Sequence, residues 1–378
     1  MDADVIVIGL GAAGSWAAWR AAQQGARVIG LESRSRLHDD GAYAGESRLF
    51  RAAYHEGAHY VPMLLSSRES WLDLELGGCS RIFHDTGVLS IGSPDAPQLE
   101  QVRASLAGSG IDHEVLDADE IRARYPQHGL ITDEIGVLDR LGGVLRPESA
   151  VAEIQRRALE AGAELRDHTD VVAIDETASG VTVTTADGTI DAAQVIVTAG
   201  AWTSALLPDL GALLEIKPLA LTWFAPDDPR SFDAAVFPAF IRDHGETHLF
   251  GVPTLDGSLV KVGYDAKWES VDEPDALVRR MTLEQRDRVA RDVHRLVPTL
   301  PAAVSRGSVH MDVFTADKTA LLGRLSERVV VGTGFSGHGF KLTPAFGDAL
   351  ADLALDREPR FDLAPFAPSR FATAPVAA

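Results

Sequence analysis

The chain opens on Asp4-Val5-Ile6-Val7-Ile8-Gly9-Leu10-Gly11-Ala12-Ala13-Gly14. The unbroken apolar run reads as a buried strand, and the G-x-G-x-x-G that follows leads into the alanine-rich, helix-like stretch Ser15 to Gln24. Each glycine serves a separate physical need. Gly9 permits a tight turn, Gly11 lets a pyrophosphate approach the backbone, and Gly14 lets helix and strand pack closely. Beside Ala12 and Ala13, the first N–H groups of the helix lack partners and suit phosphate. Gly25 reads as a C-cap, and Ala26 to Leu31 as a second strand ending in Glu32. That acid falls about 20 residues after the glycines, where a ribose hydroxyl is expected. Glycines also mark ordinary turns. Strand, helix, second strand and terminal acid in this order favour dinucleotide binding.

At 378 residues the chain suits two domains. A net charge of −20 argues against nucleic acid or an anionic membrane as partner, yet leaves room for a local basic pocket. Cys79 is the only cysteine, which excludes an intrachain disulfide and a cysteine cluster; it reads as a small packed or edge residue. The histidines are scattered without ligand spacing, so no metal site is expected. The N-terminus carries acids rather than a basic leader, and no apolar stretch approaches the roughly 20 residues that span a bilayer. A reducing cytoplasm is the expected compartment. Five lysines stand against thirty arginines, which draws notice to each lysine.

Further along, Ser149 to Ala161 has helical periodicity. Val171 to Asp175, Gly180 to Thr185 and Thr189 to Asp191 read as short strands, with Ala186-Asp187-Gly188 as a hairpin turn between the last two. Gln194 to Ala199 reads as a buried strand running into Gly200-Ala201-Trp202. Leu219 to Ala225, Ala239 to Arg242, Thr247 to Phe250 and Leu259 to Tyr264 suggest a second, antiparallel sheet, and Asp275 to Val297 a helical region. A final core strand, Val329 to Gly332, leads into Gly332-Thr333-Gly334-Phe335-Ser336-Gly337-His338-Gly339-Phe340-Lys341 and then a helix. Three glycine-bearing strand ends therefore point at one ligand.

These motifs, with Gly45-Glu46-Ser47-Arg48-Leu49-Phe50-Arg51-Ala52-Ala53-Tyr54 and Thr86-Gly87-Val88-Leu89, run over nearly the whole chain. It resembles the monomeric sarcosine oxidase and N-methyltryptophan oxidase family of FAD-dependent amine oxidases, within the D-amino-acid-oxidase-like superfamily; fructosyl-amino-acid oxidases share most of the features. The resemblance implies a FAD contact surface at Gly9, Gly11, Ala12, Ala13, Gly14 and Glu32, at Ser47 and Arg48, and at Val171, Gly200 and Trp202. It adds Gly334, Gly337, His338, Gly339 and Lys341 from the last motif. Arg51 and Lys341 match a carboxylate-binding pair, and an arginine fork with an ammonium suits an α-carboxylate; two unrelated surface cations are the alternative. Arg48 matches a position beside the flavin, where a fixed cation stabilises reduced, anionic flavin. Lys261 matches a lysine that contacts the flavin edge through water and promotes electron transfer to oxygen. Strand alternation sets it opposite Val260, Val262 and Tyr264, as it would a snorkelling edge lysine.

The departures carry expectations too. The family's R-G-x-V-C-M, whose cysteine tethers the flavin, stands here as Arg306-Gly307-Ser308-Val309-His310-Met311. FAD is therefore expected to bind non-covalently, with a histidyl bond through His310 as the alternative. Ala44 and Asp265 replace histidines, and Asp312 replaces a tyrosine. Asp265, four residues beyond Lys261, would face the pocket with it in a continuous strand; a solvated turn is the alternative. An unpaired Asp265–Asp312 couple would favour a polyol or cationic substituent such as N-fructosyl over the small N-methyl group of sarcosine. For His338 a structural hydrogen bond outweighs proton transfer. The expected fold is α/β: a FAD domain of the glutathione-reductase type (residues 1–85, 143–212 and 300–378) interleaved with an antiparallel-sheet substrate domain (86–142 and 213–299). The expected reaction is oxidation of the secondary amine of an N-substituted α-amino acid with oxygen as acceptor. The alternatives are a flavin dehydrogenase using another acceptor, which Lys261 disfavours, and a nicotinamide enzyme, which the last motif disfavours.

Overall fold

The computed structural model describes residues 1–54, 56–78, 80–107, 109–265 and 267–371, so Cys79 lies outside the described residues. Its first sheet is built around strand Ala3–Ile8, which pairs in parallel with Val28–Leu31 on one side and Gly188–Val197 on the other. Neighbours on both edges and cover on both faces are why this strand needs an unbroken apolar run. Glu164–Arg166 continues the sheet beyond Val28–Leu31. Gly188–Val197 changes partner along one edge: its start forms a hairpin with Val181–Thr185, and its end runs parallel to Val329–Thr333. The sequence predicts two strands in this stretch. They are one, because Ala192 pairs with both Ala3 and Val181 and carries the ladder through without a break. Val171–Glu176 and Leu321–Arg324 complete eight strands.

Helix Ala12–Gln23 follows the first strand, and its small side chains let helix Thr343–Ala354 approach closely. A Cβ on Gly347 would come within 2.6 Å of the Trp16 Cβ. Trp16, Trp71, Phe346 and Leu350 form the centre of this core.

The second sheet has the order Arg306–Phe314, Glu215–Phe224, Val260–Tyr264, Thr247–Val252, Ala239–His244, Val88–Gly92, Ile135–Asp139 and His113–Leu116. Helix Leu283–Leu296 covers one face, packing Val289, Ala290, Val293 and Leu296 into the cluster that holds Val260, Val262 and Tyr264. The predicted single helical region 275–297 is split: Pro274–Ala276 is a 3-10 turn, and a capping box between Thr282 and Gln285 starts the helix proper. The expected domain boundary at residue 300 also shifts. Arg306–Phe314 belongs to the second sheet, because it pairs with Glu215–Phe224 along its whole length. Arg48–Phe50, Gly143–Leu145 and Phe83–His84 form a small third sheet. Among the described residues no helix is long and apolar enough to cross a membrane.

Candidate active site

The carboxyl ends of the parallel strands meet at one rim of the first sheet, where α/β folds bind ligands. There a cavity of about 1370 Å³ runs across to the second sheet. Gly9, at φ +89°, makes the turn after the first strand, and a Cβ on Gly14 would sit 2.0 Å from the Gly9 carbonyl oxygen. Gly14 is thus a packing glycine outside the cavity lining, whereas Gly9, Gly11, Ala12 and Ala13 line it. A Cβ on Gly11 would meet only one side-chain atom of Tyr43, at 4.0 Å. The helix that starts at Ala12 has no side-chain cap and no acid in its first turn. Its N–H groups and the bare Gly11 backbone form a cradle that fits a pyrophosphate.

Glu32 follows its strand into the cavity wall. One carboxylate oxygen accepts from Leu10 N at 2.9 Å and the other from Arg34 N at 3.1 Å, which fixes its orientation. The Arg34 guanidinium lies 5.0 Å above the Trp202 ring. Val171, Gly200 and Trp202 line the same end, which suits a flat, partly polar group such as adenosine. At the other end Gly334, Gly337, His338, Gly339 and Lys341 all line the cavity.

The cations group at that second end. Arg48 leaves the small sheet with its guanidinium on the carbonyls of Ala42, Ala44 and Ser47, and it lines the cavity. Ser47 itself is buried behind the wall, serving through its carbonyl. Lys261 is buried and lies behind the lining: Nζ donates to Gly45 O at 2.6 Å and to Ser47 O at 2.7 Å. Burial, with the nearby Arg48 charge, holds its ammonium well below the usual lysine range. Arg51 and Lys341, both buried, lie close to one tyrosine ring. The Arg51 guanidinium is 4.9 Å and Lys341 Nζ 5.2 Å from the centroid of Tyr54. Trp71 stacks on Phe340 and donates from Nε1 to Lys341 O at 3.0 Å, which seats Lys341 on the core that holds Trp16, Phe346 and Leu350.

Alternation along Arg306–Phe314 puts Ser308, His310 and Asp312 on one face. His310 Nε2 lies 2.9 Å from Ser308 Oγ, and the buried Nδ1 has no partner among the described residues. Burial first, then Arg48, Lys261 and Arg279, hold its pKa down to about 3, so the imidazole is neutral. Asp312 lines the cavity but is not unpaired. One oxygen accepts from Gly337 N and the other from Val313 N, each at 2.8 Å, so it pins the glycine-rich loop. Burial raises its pKa against those hydrogen bonds. Asp265 is exposed at the cavity edge, one residue beyond the strand end at Tyr264, with Oδ1 3.3 Å from Lys267 N. The continuous strand expected to align it with Lys261 stops short of it.

Glu56 escapes the sequence reading, and Tyr54 figures there only as the end of the Gly45–Tyr54 motif, without a role. Glu56 lines the cavity and pairs with Arg51 at 2.8 Å, and the buried Tyr54 ring lies near both Arg51 and Lys341. Both lie in irregular chain after Phe50, where neither periodicity nor spacing marks a side chain; only closeness to Arg51 could have flagged Glu56. Among the described residues no group of three or more metal-ligating side chains converges.

The family model described as FAD dependent oxidoreductase matches residues 4–353. The chain is 34% identical to the monomeric sarcosine oxidase of Streptomyces avermitilis, over 99% of each chain. It is 32% identical to the N-methyl-L-tryptophan oxidase of Yersinia pseudotuberculosis, over 98% of this chain and all of that one. Among solved structures it superimposes on NikD, an unusual amino acid oxidase essential for nikkomycin biosynthesis, with a TM-score of 0.85 and 28% identity over 97% of both chains. The cradle at Gly11, the oriented Glu32 and the unpartnered His310 Nδ1 all fit FAD. The chain belongs to the FAD-dependent oxidoreductases, in the family of monomeric sarcosine oxidase and N-methyl-L-tryptophan oxidase.

Proposed function

We propose that this protein oxidises the secondary amine of N-methyl α-amino acids, with oxygen as the final electron acceptor and hydrogen peroxide as a product. The observation that carries the reading is that Arg51 and Lys341, both buried and both lining the second end of the cavity, lie within 4.9 Å and 5.2 Å of the same Tyr54 ring centroid. Two buried cations there suit an α-carboxylate, which would compete with Glu56 for the guanidinium. When bound, FAD supplies the two-electron acceptance that amine oxidation needs. The chain's own residues hold and orient. Arg48 keeps a fixed cation at the wall, and Asp312 holds the Gly337 loop in place. A histidine, His310, stands where the relatives' pattern has a tethering cysteine, so the thioether cannot form, which supports non-covalent FAD. A polar substituent such as N-fructosyl now rests on Asp265 alone, since both Asp312 oxygens already accept N–H groups. N-methyl substrates therefore rank first.

One holoenzyme preparation tests the reading. Acid precipitation should leave the flavin in the supernatant; flavin retained on a peptide containing His310 rules out non-covalent binding. Oxygen uptake and peroxide should appear with sarcosine or N-methyl-L-tryptophan. An N-methylamine lacking the carboxyl group should lose about a hundredfold or more in kcat/KM, equivalent to about 2.7 kcal/mol. Equal turnover of that amine would remove the carboxylate anchor. Amine oxidation without oxygen uptake would point to a dehydrogenase, and a clear preference for an N-fructosyl amino acid would reinstate Asp265 as a polyol contact.

A further inference from the structure

Behind Lys341 a chain of hydrogen bonds ends on a backbone carbonyl. His338 places Nε2 2.8 Å from Lys318 O and Nδ1 2.7 Å from the Tyr54 hydroxyl. A carbonyl can only accept, so Nε2 carries the ring proton. Burial keeps this imidazole neutral, with its pKa at about 4. Nδ1 is then a bare lone pair, and Tyr54 must be the donor to it. The hydroxyl proton therefore points away from Lys341, and the oxygen turns its lone pairs towards Lys341 Nζ, 3.4 Å away. The second acceptor of Nζ is the His338 carbonyl, at 3.0 Å. An ammonium has three N–H donors, and among the described residues these two acceptors engage two of them.

The geometry points to His338 as the positioning residue of Lys341: its fixed tautomer makes Tyr54 an acceptor, and the two acceptors leave one N–H of Lys341 for an anionic group in the cavity. This rests on the reading of Lys341 as a carboxylate anchor. Were the Tyr54 proton turned the other way, its positive end would face the ammonium and favour the neutral amine instead. The balance is close enough for this to matter. Burial and the Arg51 and Arg48 charges push the Lys341 pKa down to about 7, against the opposing pull of Glu56 and Asp312.

The test uses holoenzyme and propionate, a short acid that cannot be oxidised at an amine, with binding followed by the flavin absorption change from neutral to alkaline pH. Flavin content and circular dichroism confirm that each variant is folded. In His338→Leu the acceptor for Tyr54 is gone; binding should weaken about tenfold, as for loss of a hydrogen bond to a charged group. Its loss on the alkaline side should move to lower pH. Tyr54→Phe should behave in the same way. His338→Asn, whose amide oxygen can replace Nδ1, should keep most of the wild-type affinity. A role in packing alone predicts that Leu and Asn weaken binding alike with no movement of the alkaline limb, and that result overturns the inference. Loss of binding in Lys341→Met beside wild-type behaviour in His338→Leu overturns it alone. Full binding in Lys341→Met overturns the anchor reading as well.

Discussion

Lys261 is the residue whose type was legible and whose surroundings were not. Alternation along Val260–Tyr264 set it opposite the core-facing Val260 and Val262, and its side chain does leave that core. Nothing in the spacing indicated that its ammonium would rest on the carbonyls of Gly45 and Ser47, one layer behind the cavity wall. A charge need not touch the reacting atoms to act on them, because a low-dielectric wall transmits its field. Lys261→Met should therefore slow reoxidation of the reduced enzyme by oxygen about a hundredfold, or about 3 kcal/mol. Anaerobic reduction by substrate should change far less, as read by stopped-flow absorbance. Equal losses in the two half-reactions would show that the lysine serves only to hold the Gly45–Ser47 loop. Arg51 gives the same lesson about partners. Its position was marked by a motif, but its pairing with Glu56 depends on how irregular chain folds back, which no periodicity records.

At the scale of elements, the opening strand, turn and helix were the most legible part of the fold, because each is specified by contacts close in sequence. The second sheet was less so. Its strands were visible as apolar runs, but the pairing of Arg306–Phe314 with Glu215–Phe224 joins segments about ninety residues apart, and alternation within a strand does not name its neighbour. The glycines of the first turn separate packing from binding. Gly14→Ala places a methyl 2.0 Å from the Gly9 carbonyl and 2.4 Å from Thr198 Oγ1, so strand and helix must part. It should destabilise the protein by about 2 kcal/mol or more. Gly11→Ala meets nothing closer than 4.0 Å and should leave the melting temperature of the FAD-free protein almost unchanged. Its methyl occupies the pyrophosphate cradle, so FAD affinity should fall about tenfold or more, equivalent to about 1.4 kcal/mol. Flavin fluorescence titration beside thermal melts measures both. Comparable melting losses in the two variants would mean that Gly11 too is a packing residue.

At the scale of the whole molecule, three histidines among the described residues are buried neutral: His128 and His310 with pKa values held at about 3, and His338 at about 4. In the unfolded chain each returns to about 6.5. As pH falls below that value the unfolded state takes up protons that the native state refuses. Stability is therefore fully present above about pH 6.5 and is lost towards the folded values, at about 1.4 kcal/mol per pH unit for each histidine. His128 isolates one share of this loss away from the cavity. It stacks on Phe237 with centroids 5.4 Å apart, meets Phe240 edge-on at 5.0 Å, and has no partner for either ring nitrogen among the described residues. Phenylalanine at that position keeps the ring contacts and removes the proton site. His128→Phe should be at least as stable as the wild type near neutral pH, because two buried unsatisfied nitrogens are lost. The gap should widen as the medium is acidified, by about 1.4 kcal/mol per pH unit through the weakly acid range. Buried carboxyls with raised pKa values, such as Asp139 and Asp312, have the opposite dependence, but they are common to both proteins and cancel in the difference. Urea unfolding at stepped pH reads that difference directly. Parallel curves for the two proteins would mean that His128 takes up its proton in the native state, with water or a movement of the chain reaching a ring that is sealed in this fold.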